Sequence, residues 1–180
     1  FNEVFFDGAR TSAEWVVGEP GEGWRIAMAT LAFERGTSTL AQQLNFANEW
    51  QQIATAAKAN GMLKHQNIRH RLTQSRMELL AMRWSTLRML SGMLEGQMIP
   101  EAYTLKLDWA SWHRRLGELA MDVLGHQGRV VGQDYDLNPL QRLFLFSRAD
   151  TIYAGSNQIQ RSLIAERALG LPKDPWRDRS

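Results

Sequence analysis

The chain has 180 residues, 44% hydrophobic and 22% charged, with only 5 prolines, which sets aside a disordered or fibrous polymer. It contains no cysteine, so disulfides, thiolate metal sites and cysteine nucleophiles are excluded. The 21 basic residues against 19 acidic ones leave a net charge of +2, too little to indicate a phosphate-backbone partner. The four histidines, His65, His70, His113 and His126, never pair at zinc-ligand spacing, so no metal site is expected. No apolar run approaches a membrane span and FNEVFFDGAR does not read as a signal peptide. The expectation is a soluble, cytoplasmic protein with no nucleic-acid or membrane partner. The sequence starts at Phe1 rather than Met, which suits a piece of something longer.

Taken in chain order, Val4, Phe5 and Phe6 before Asp7-Gly8 read as a strand ending in a turn. Gly18, Pro20, Gly21 and Gly23 then punctuate a loop. From Trp24 the pattern is helical: Ala27, Leu31, Leu40, Leu44 and Ala47 keep helical spacing, and Asn60-Gly61 closes the segment. Ile68, Leu72, Leu79, Met82, Leu90 and Met93 predict a second long helix, ended by Gly92, Gly96 and Pro100. The third is the most regular, with Leu105, Trp109, Trp112, Leu116, Leu119 and Val123 up to Gly125. A loop holding Gly128, Gly132, Asn138 and Pro139 leads to a fourth helix, about Leu140 to Tyr153. Ala154-Gly155-Ser156 breaks it, and a short fifth runs to Gly170-Leu171-Pro172. The fold class expected is all-α: an up-down four-helix bundle with a short extra C-terminal helix, preceded by a residual β-strand and loop. Residues 1–20 and 21–180 form the two expected segments.

Three features stand above a generic bundle. Thr30, Glu34, Thr37, Ser38 and Ala41 share a helix face, a stripe of small side chains around one carboxylate; an ordinary solvated face is the simpler reading of that spacing. The break before Ser156-Asn157-Gln158 presents free N–H groups at a helix start, where a pyrophosphate could sit; a plain helix-to-helix turn with Ser156 as N-cap is the simpler reading of that spacing. Gly125 and Gly128 flank a helix end, as a close backbone approach or a C-cap and turn would require. Trp109 and Trp112 read as core rather than a stacking platform. Arg69, Arg71 and Arg76, with His65 and His70, read as a solvated face.

In order along the chain, these segments resemble the C-terminal part of the acyl-CoA dehydrogenase flavoenzymes. The resemblance is carried by Phe1–Asp7, Gly18–Trp24, Leu31-Ala32-Phe33-Glu34-Arg35-Gly36, and the tail Ile152-Tyr153-Ala154-Gly155-Ser156-Asn157-Gln158-Ile159-Gln160-Arg161. The close, Ala165-Glu166-Arg167-Ala168-Leu169-Gly170-Leu171-Pro172, is similar to actinobacterial members. The resemblance implies that residues 1–20 end a middle β-domain and that 21–180 form the helical FAD domain. It implies an FAD cofactor, an acyl-CoA substrate oxidised to a 2-enoyl-CoA, and an electron-transferring flavoprotein as acceptor. A homotetramer or mixed heterotetramer follows from the same resemblance.

In many members the base that removes the α-proton precedes the glycine of the tail motif. Here that position is Ala154, which has no acid–base group. A minority of members carry the base on the first long helix before an arginine, and Glu34-Arg35 matches that pattern. A carboxylate suits the task because exclusion of water raises its pKa toward that of the activated thioester. The resemblance thus implies Glu34 as the catalytic base, with Arg35, Ala154 and Gly155 on the substrate. It further implies Ser156, Gln158, Gly125 and Gln66 on the cofactor. Where the family has an arginine and a phenylalanine holding the ADP half of a neighbouring subunit's FAD, the sequence has Ala57 and Asn60. Asp122 and His126 also replace a glutamine and a glycine, and a carboxylate beside a pyrophosphate is unfavourable unless offset. These departures leave open a subunit of a heteromeric enzyme that contributes mainly an interface.

Overall fold

The computed structural model describes residues 2–96 and 99–173, with the side chains of 31–40 and of Glu101 outside that description. The chain divides into two compact units, Phe1–Thr37 and Ser38–Ser180. The boundary falls within the first helix, α1 (Gly23–Ala59).

In the first unit, residues 2–6 form no strand. A strand needs a ladder partner to satisfy its N–H and C=O groups, and Val4, Phe5 and Phe6 stand exposed without one. A 3₁₀ turn at Ala13–Trp15 follows. The entry to α1 is held by Glu22, which accepts from the Glu19 N–H at 3.3 Å and from Arg25 at 2.8 Å. Trp15 and Trp24 are exposed.

The second unit is the bundle. Its helices are the remainder of α1, α2 (Gln66–Leu94), α3 (Leu105–Leu124) and α4 (Pro139–Ala149). The short α5 (Asn157–Leu163) passes into a π-helical turn, Ile164–Ala168. Cross-links fix the directions. Gln43 donates to the Met82 carbonyl and Trp50 to the Leu72 carbonyl, so α1 and α2 run antiparallel. Arg71 meets Asp122 and Arg115 meets Glu78, so α2 and α3 do too. Arg148 reaches Glu118 while Gln141 bonds the Gly128 carbonyl, which sets α4 antiparallel to α3. The result is the expected up-down order.

The core is a run of apolar side chains at alternating three- and four-residue steps. On α2 the buried stripe is Ile68, Leu72, Ser75, Leu79, Met82, Thr86 and Met89. Near its C-terminus the stripe departs from the expected one: Thr86 and Met89 turn inward, while Met93 is exposed. Thr86 is tolerated at 0% exposure because Gln43 bonds its hydroxyl at 2.6 Å. On α1 the expected Leu44 points outward, and Phe46, Ile53 and Ala57 carry the core. The α3 stripe is as expected, with Trp112 1% exposed and its indole N–H on the Ser75 carbonyl. Gly117 lets α4 approach α3 closely, since a Cβ there would lie 2.5 Å from the Ser147 hydroxyl and 3.0 Å from the Phe144 Cα.

Helix α4 starts with a capping box. Asn138 accepts from the Leu140 N–H at 2.9 Å and Gln141 accepts from the Asn138 N–H at 2.8 Å, with Pro139 in the first turn where its missing N–H costs nothing. The helix ends at Ala149, four residues before the expected end at Tyr153. Its last turn is replaced by a tight turn in which Asp150 is buried and the half-exposed Tyr153 turns its hydroxyl onto it.

Candidate functional site

The Tyr153–Ser156 turn is the best-defined element among the expected site residues. Ala154 and Gly155 both adopt positive φ, 51° and 90°; glycine takes this freely, but alanine does so only under constraint. The constraint is visible. Gln160, 2% exposed, donates from its amide to the Ala154 carbonyl at 3.0 Å. The Asn157 N–H closes the turn on the Thr151 carbonyl at 3.1 Å, and its side-chain amide reaches the Ser111 hydroxyl at 3.3 Å. Gly155 is required by more than its φ, since a Cβ would lie 2.6 Å from the Gln160 amide nitrogen. Ser156 caps α5, accepting from the Ile159 N–H at 3.4 Å. Gln158 lies exposed on the first turn of α5. Among the described residues, no group accepts from the N–H of Ala154 or Gly155. The turn therefore offers two adjacent backbone donors of the kind a carbonyl oxygen needs.

Beneath the turn lies a polar cluster that the sequence reading passed over. His113, 3% exposed on α3, bonds Asp150 through Nδ1 and Glu49 of α1 through Nε2, the latter at 2.8 Å. Asp150 is 1% exposed, and its other oxygen accepts from the Tyr153 hydroxyl at 2.7 Å. Lys106 donates to the Asp150 carbonyl and lies over the Trp109 and Tyr153 rings. Burial disfavours the charged imidazole, but the hydrogen bonds to Asp150 and Glu49 and their negative charges outweigh it, and His113 is pushed up to about 9. Burial, with the neighbouring carboxylate of Asp150, pushes the Tyr153 hydroxyl above its ordinary range. Lys106 is lowered by burial, partly offset by the Asp150 charge. The available signal was weak: a histidine next to Trp112 on an otherwise apolar face, and an aspartate 37 residues away with no periodicity linking them.

Gln66 and Gly125 do not join the turn. Gln66 opens α2 and Gly125 caps α3 at a φ of 58°, so both occupy the bundle end where Arg71 meets Asp122. The turn packs beside Ser111, and fourteen residues of helix at about 1.5 Å each separate Ser111 from Gly125 by roughly 20 Å. The expected cofactor contacts thus fall into two groups at opposite ends of α3. At the Gly125 end the departures have structural roles. Ala57 is 0% exposed, leaving no room for an arginine without repacking. Asn60 donates to the Val123 carbonyl at 2.7 Å and accepts from the Met62 N–H at 3.1 Å. Asp122 is matched by Arg71 at 2.5 Å, which offsets the carboxylate that stood out in the sequence. The other two arginines of that patch are engaged too, Arg69 on the Leu63 and Lys64 carbonyls and Arg76 over the Trp50 ring.

The side chains of Glu34 and Arg35 lie outside the described residues; their backbone belongs to α1. Two small cavities, of about 80 and 10 Å³, open elsewhere, the larger between α2 and α3 beside Arg71, Ser75 and Trp112, and the smaller beside Gln43 and Phe46. Neither approaches the size of a cofactor site. Among the described residues, no helix is long and apolar enough to cross a membrane.

An all-α bundle whose capped α5 follows a strained Ala-Gly turn defines a class, and comparison with known proteins assigns it. Residues 21–169 match the family model for the acyl-CoA dehydrogenase C-terminal domain. The chain is 52% identical over 174 residues to acyl-CoA dehydrogenase IpdE1 of Mycobacterium tuberculosis, covering 97% of the chain and 45% of that relative. It is 53% identical to the IpdE1 of Mycolicibacterium smegmatis, covering 97% and 43%. The solved Tcur3481-Tcur3483 steroid ACAD shares the fold at a TM-score of 0.81 and 23% identity, over 94% of this chain and 45% of its own. The chain belongs to the acyl-CoA dehydrogenase family and is similar to its C-terminal helical domain. It spans less than half the length of these relatives. Enzymes of this family use FAD.

Proposed function

We propose that the chain serves as the C-terminal domain of an FAD-dependent acyl-CoA dehydrogenase, in which the Tyr153–Ser156 turn meets the acyl thioester and Glu34 is the base. The observation that carries this reading is the pair of backbone donors at Ala154 and Gly155, held by Gln160 at the point where family members carry their tail motif. The Ala154 N–H bonds the thioester carbonyl and polarises it, which acidifies the α-carbon. Glu34 takes the α-proton, and Arg35 orients that carboxylate. When bound, FAD supplies the acceptor for the hydride that leaves the β-carbon, so the product is a 2-enoyl-CoA. Ser156 and Gln158 line the flavin, while Gln66 and Gly125, at the far end of the bundle, serve the cofactor of a neighbouring subunit. Electrons pass on to an electron-transferring flavoprotein in the cytoplasm.

The exposed apolar residues Val4, Phe5, Phe6 and Trp15 are read as part of the end of a β-domain and its linker, residues 1–20, covered in the whole protein. On α2, Met77, Leu80, Trp84 and Leu87 form an exposed stripe at steps of three and four, which supports a tetramer. A second reading is favoured by Ala57 and Asn60, whose structural roles replace the family's adenine-side contacts: a heteromeric assembly in which this subunit contributes mainly an interface.

The test uses the full-length protein, wild type and Glu34→Gln, with flavin absorbance followed as a panel of acyl-CoAs is added anaerobically. Bleaching of wild type, with Glu34→Gln remaining yellow, is expected. A wild type that holds no flavin or never bleaches transfers the assignment to the heteromeric reading.

A further inference from the structure

We propose that Glu49, His113 and Asp150 form a buried charged relay that fixes the Tyr153–Ser156 turn, making His113 a positioning residue for the thioester carbonyl. The inference rests on the reading above in one respect, that Ala154 presents its N–H to the thioester.

Carboxylates accept hydrogen bonds and do not donate them when ionised. A ring with one carboxylate on each nitrogen must therefore carry both protons, as an imidazolium bridging Glu49 and Asp150. The second oxygen of Asp150 is then committed to the Tyr153 hydroxyl at 2.7 Å. Three helical elements are thereby tied to one side chain of the turn: α1 through Glu49, α3 through His113, and the end of α4 through Asp150.

The charged and titratable groups that face this node are Glu49, Asp150, Tyr153 and Lys106, the last bonded to the Asp150 carbonyl. From α2, Arg71 and Glu78 are instead occupied by Asp122 and Arg115. The remaining surroundings are the Phe46 ring, 4.5 Å from the imidazole centroid, and Trp112, stacked at 6.2 Å. Apolar side chains in place of the charged set would hold the helices together as well or better. What they could not do is aim a hydroxyl in one direction. That aim matters here because Ala154 is held at positive φ by its neighbours rather than by preference.

Tyr153→Phe is the discriminating variant, because it deletes one oxygen from a residue that is 42% exposed and leaves the relay itself intact. It is compared, in the full-length flavin-loaded protein, with wild type and His113→Gln, using an acyl-CoA that bleaches the wild type. Tyr153→Phe should keep its flavin and its fold, with a modestly lower unfolding midpoint because one Asp150 oxygen loses its partner, hold KM near wild type and lose roughly tenfold in kcat. Wild-type kcat should fall above pH 9 as His113 loses its proton, and both variants should lack that alkaline limb. A Tyr153→Phe enzyme with wild-type kcat and the same limb overturns the relay.

Amide exchange at Asn157, whose N–H closes the turn on Thr151, separates the two hypotheses. It should quicken by roughly tenfold in Tyr153→Phe, whether or not any acyl-CoA bleaches the flavin. Unchanged exchange sinks the relay. Faster exchange with no bleaching of the wild type leaves the relay standing and transfers the chain to the heteromeric, interface reading.

Discussion

Trp112 and His113 are consecutive on α3 and almost equally buried, at 1% and 3% exposure, yet they organise two different interiors. Trp112 sits among Phe46, Leu116, Leu119 and the α2 stripe, where burial is favourable in any orientation that excludes water. His113 sits among carboxylates, where burial is tolerable only if every polar atom meets a partner of the right kind. The apolar side holds the helices together; the polar side specifies where the chain beyond α4 must lie. A helix can serve both because neighbouring residues point about 100° apart.

The contrast is broken most severely on the apolar side. Trp112→Ala removes the largest wholly buried side chain among the described residues and the indole hydrogen bond to the Ser75 carbonyl. A loss of about 4 kcal/mol is expected in urea unfolding, with no change in how stability depends on pH. A loss below about 1 kcal/mol would mean that the core does not centre on this residue.

Asp150→Asn breaks the polar side. His113 stands at about 9 in the folded chain against an ordinary value of 6.5, so its contribution is fully present below pH 6.5 and is lost as the pH rises through 9. That contribution is on the order of 3 kcal/mol. The variant lowers the folded value toward the ordinary one. Wild-type stability should therefore fall between pH 6.5 and 9.5 more steeply than that of Asp150→Asn. Parallel curves from urea midpoints across that range would show that His113 is not the charged centre.

Glu49→Gln gives the smallest effect and sharpens the comparison. The Glu49 side chain is 30% exposed, so water shares its charge, and an amide oxygen can still accept from Nε2. A loss of about 1 kcal/mol is expected, measured in the same way. A loss as large as that of Asp150→Asn would make the two carboxylates equal partners and the outer one more than a screen.

Much of the bundle was legible because apolar periodicity is a local property. The α3 stripe from Leu105 to Val123 could be read directly, as could the Asn60-Gly61 stop, the break at Gly155 and the cap at Ser156. The reading failed where the outcome depends on a distant partner. Leu44 looked like core and Phe46 proved to be core, since only packing against Trp109 and Trp112 selects the face of α1 that turns inward. Val4 to Phe6 have the composition of a strand but, among the described residues, no neighbouring strand to bond. Asp122 looked unfavourable until Arg71, 51 residues away, supplied the opposite charge.

By itself, then, the sequence determined the helices, their order and every end but that of α4 closely, because spacing, glycine and capping side chains act within a few residues. It also carried the tail motif from Ile152 to Arg161, on which the family resemblance turned. The tertiary structure alone decided the juxtaposition of Glu49, His113 and Asp150, and with it the early end of α4 and the aim of Tyr153. Hydrogen bonds between buried charges act over about 3 Å and between residues far apart in sequence. No period marks them until the apolar faces have brought the helices together.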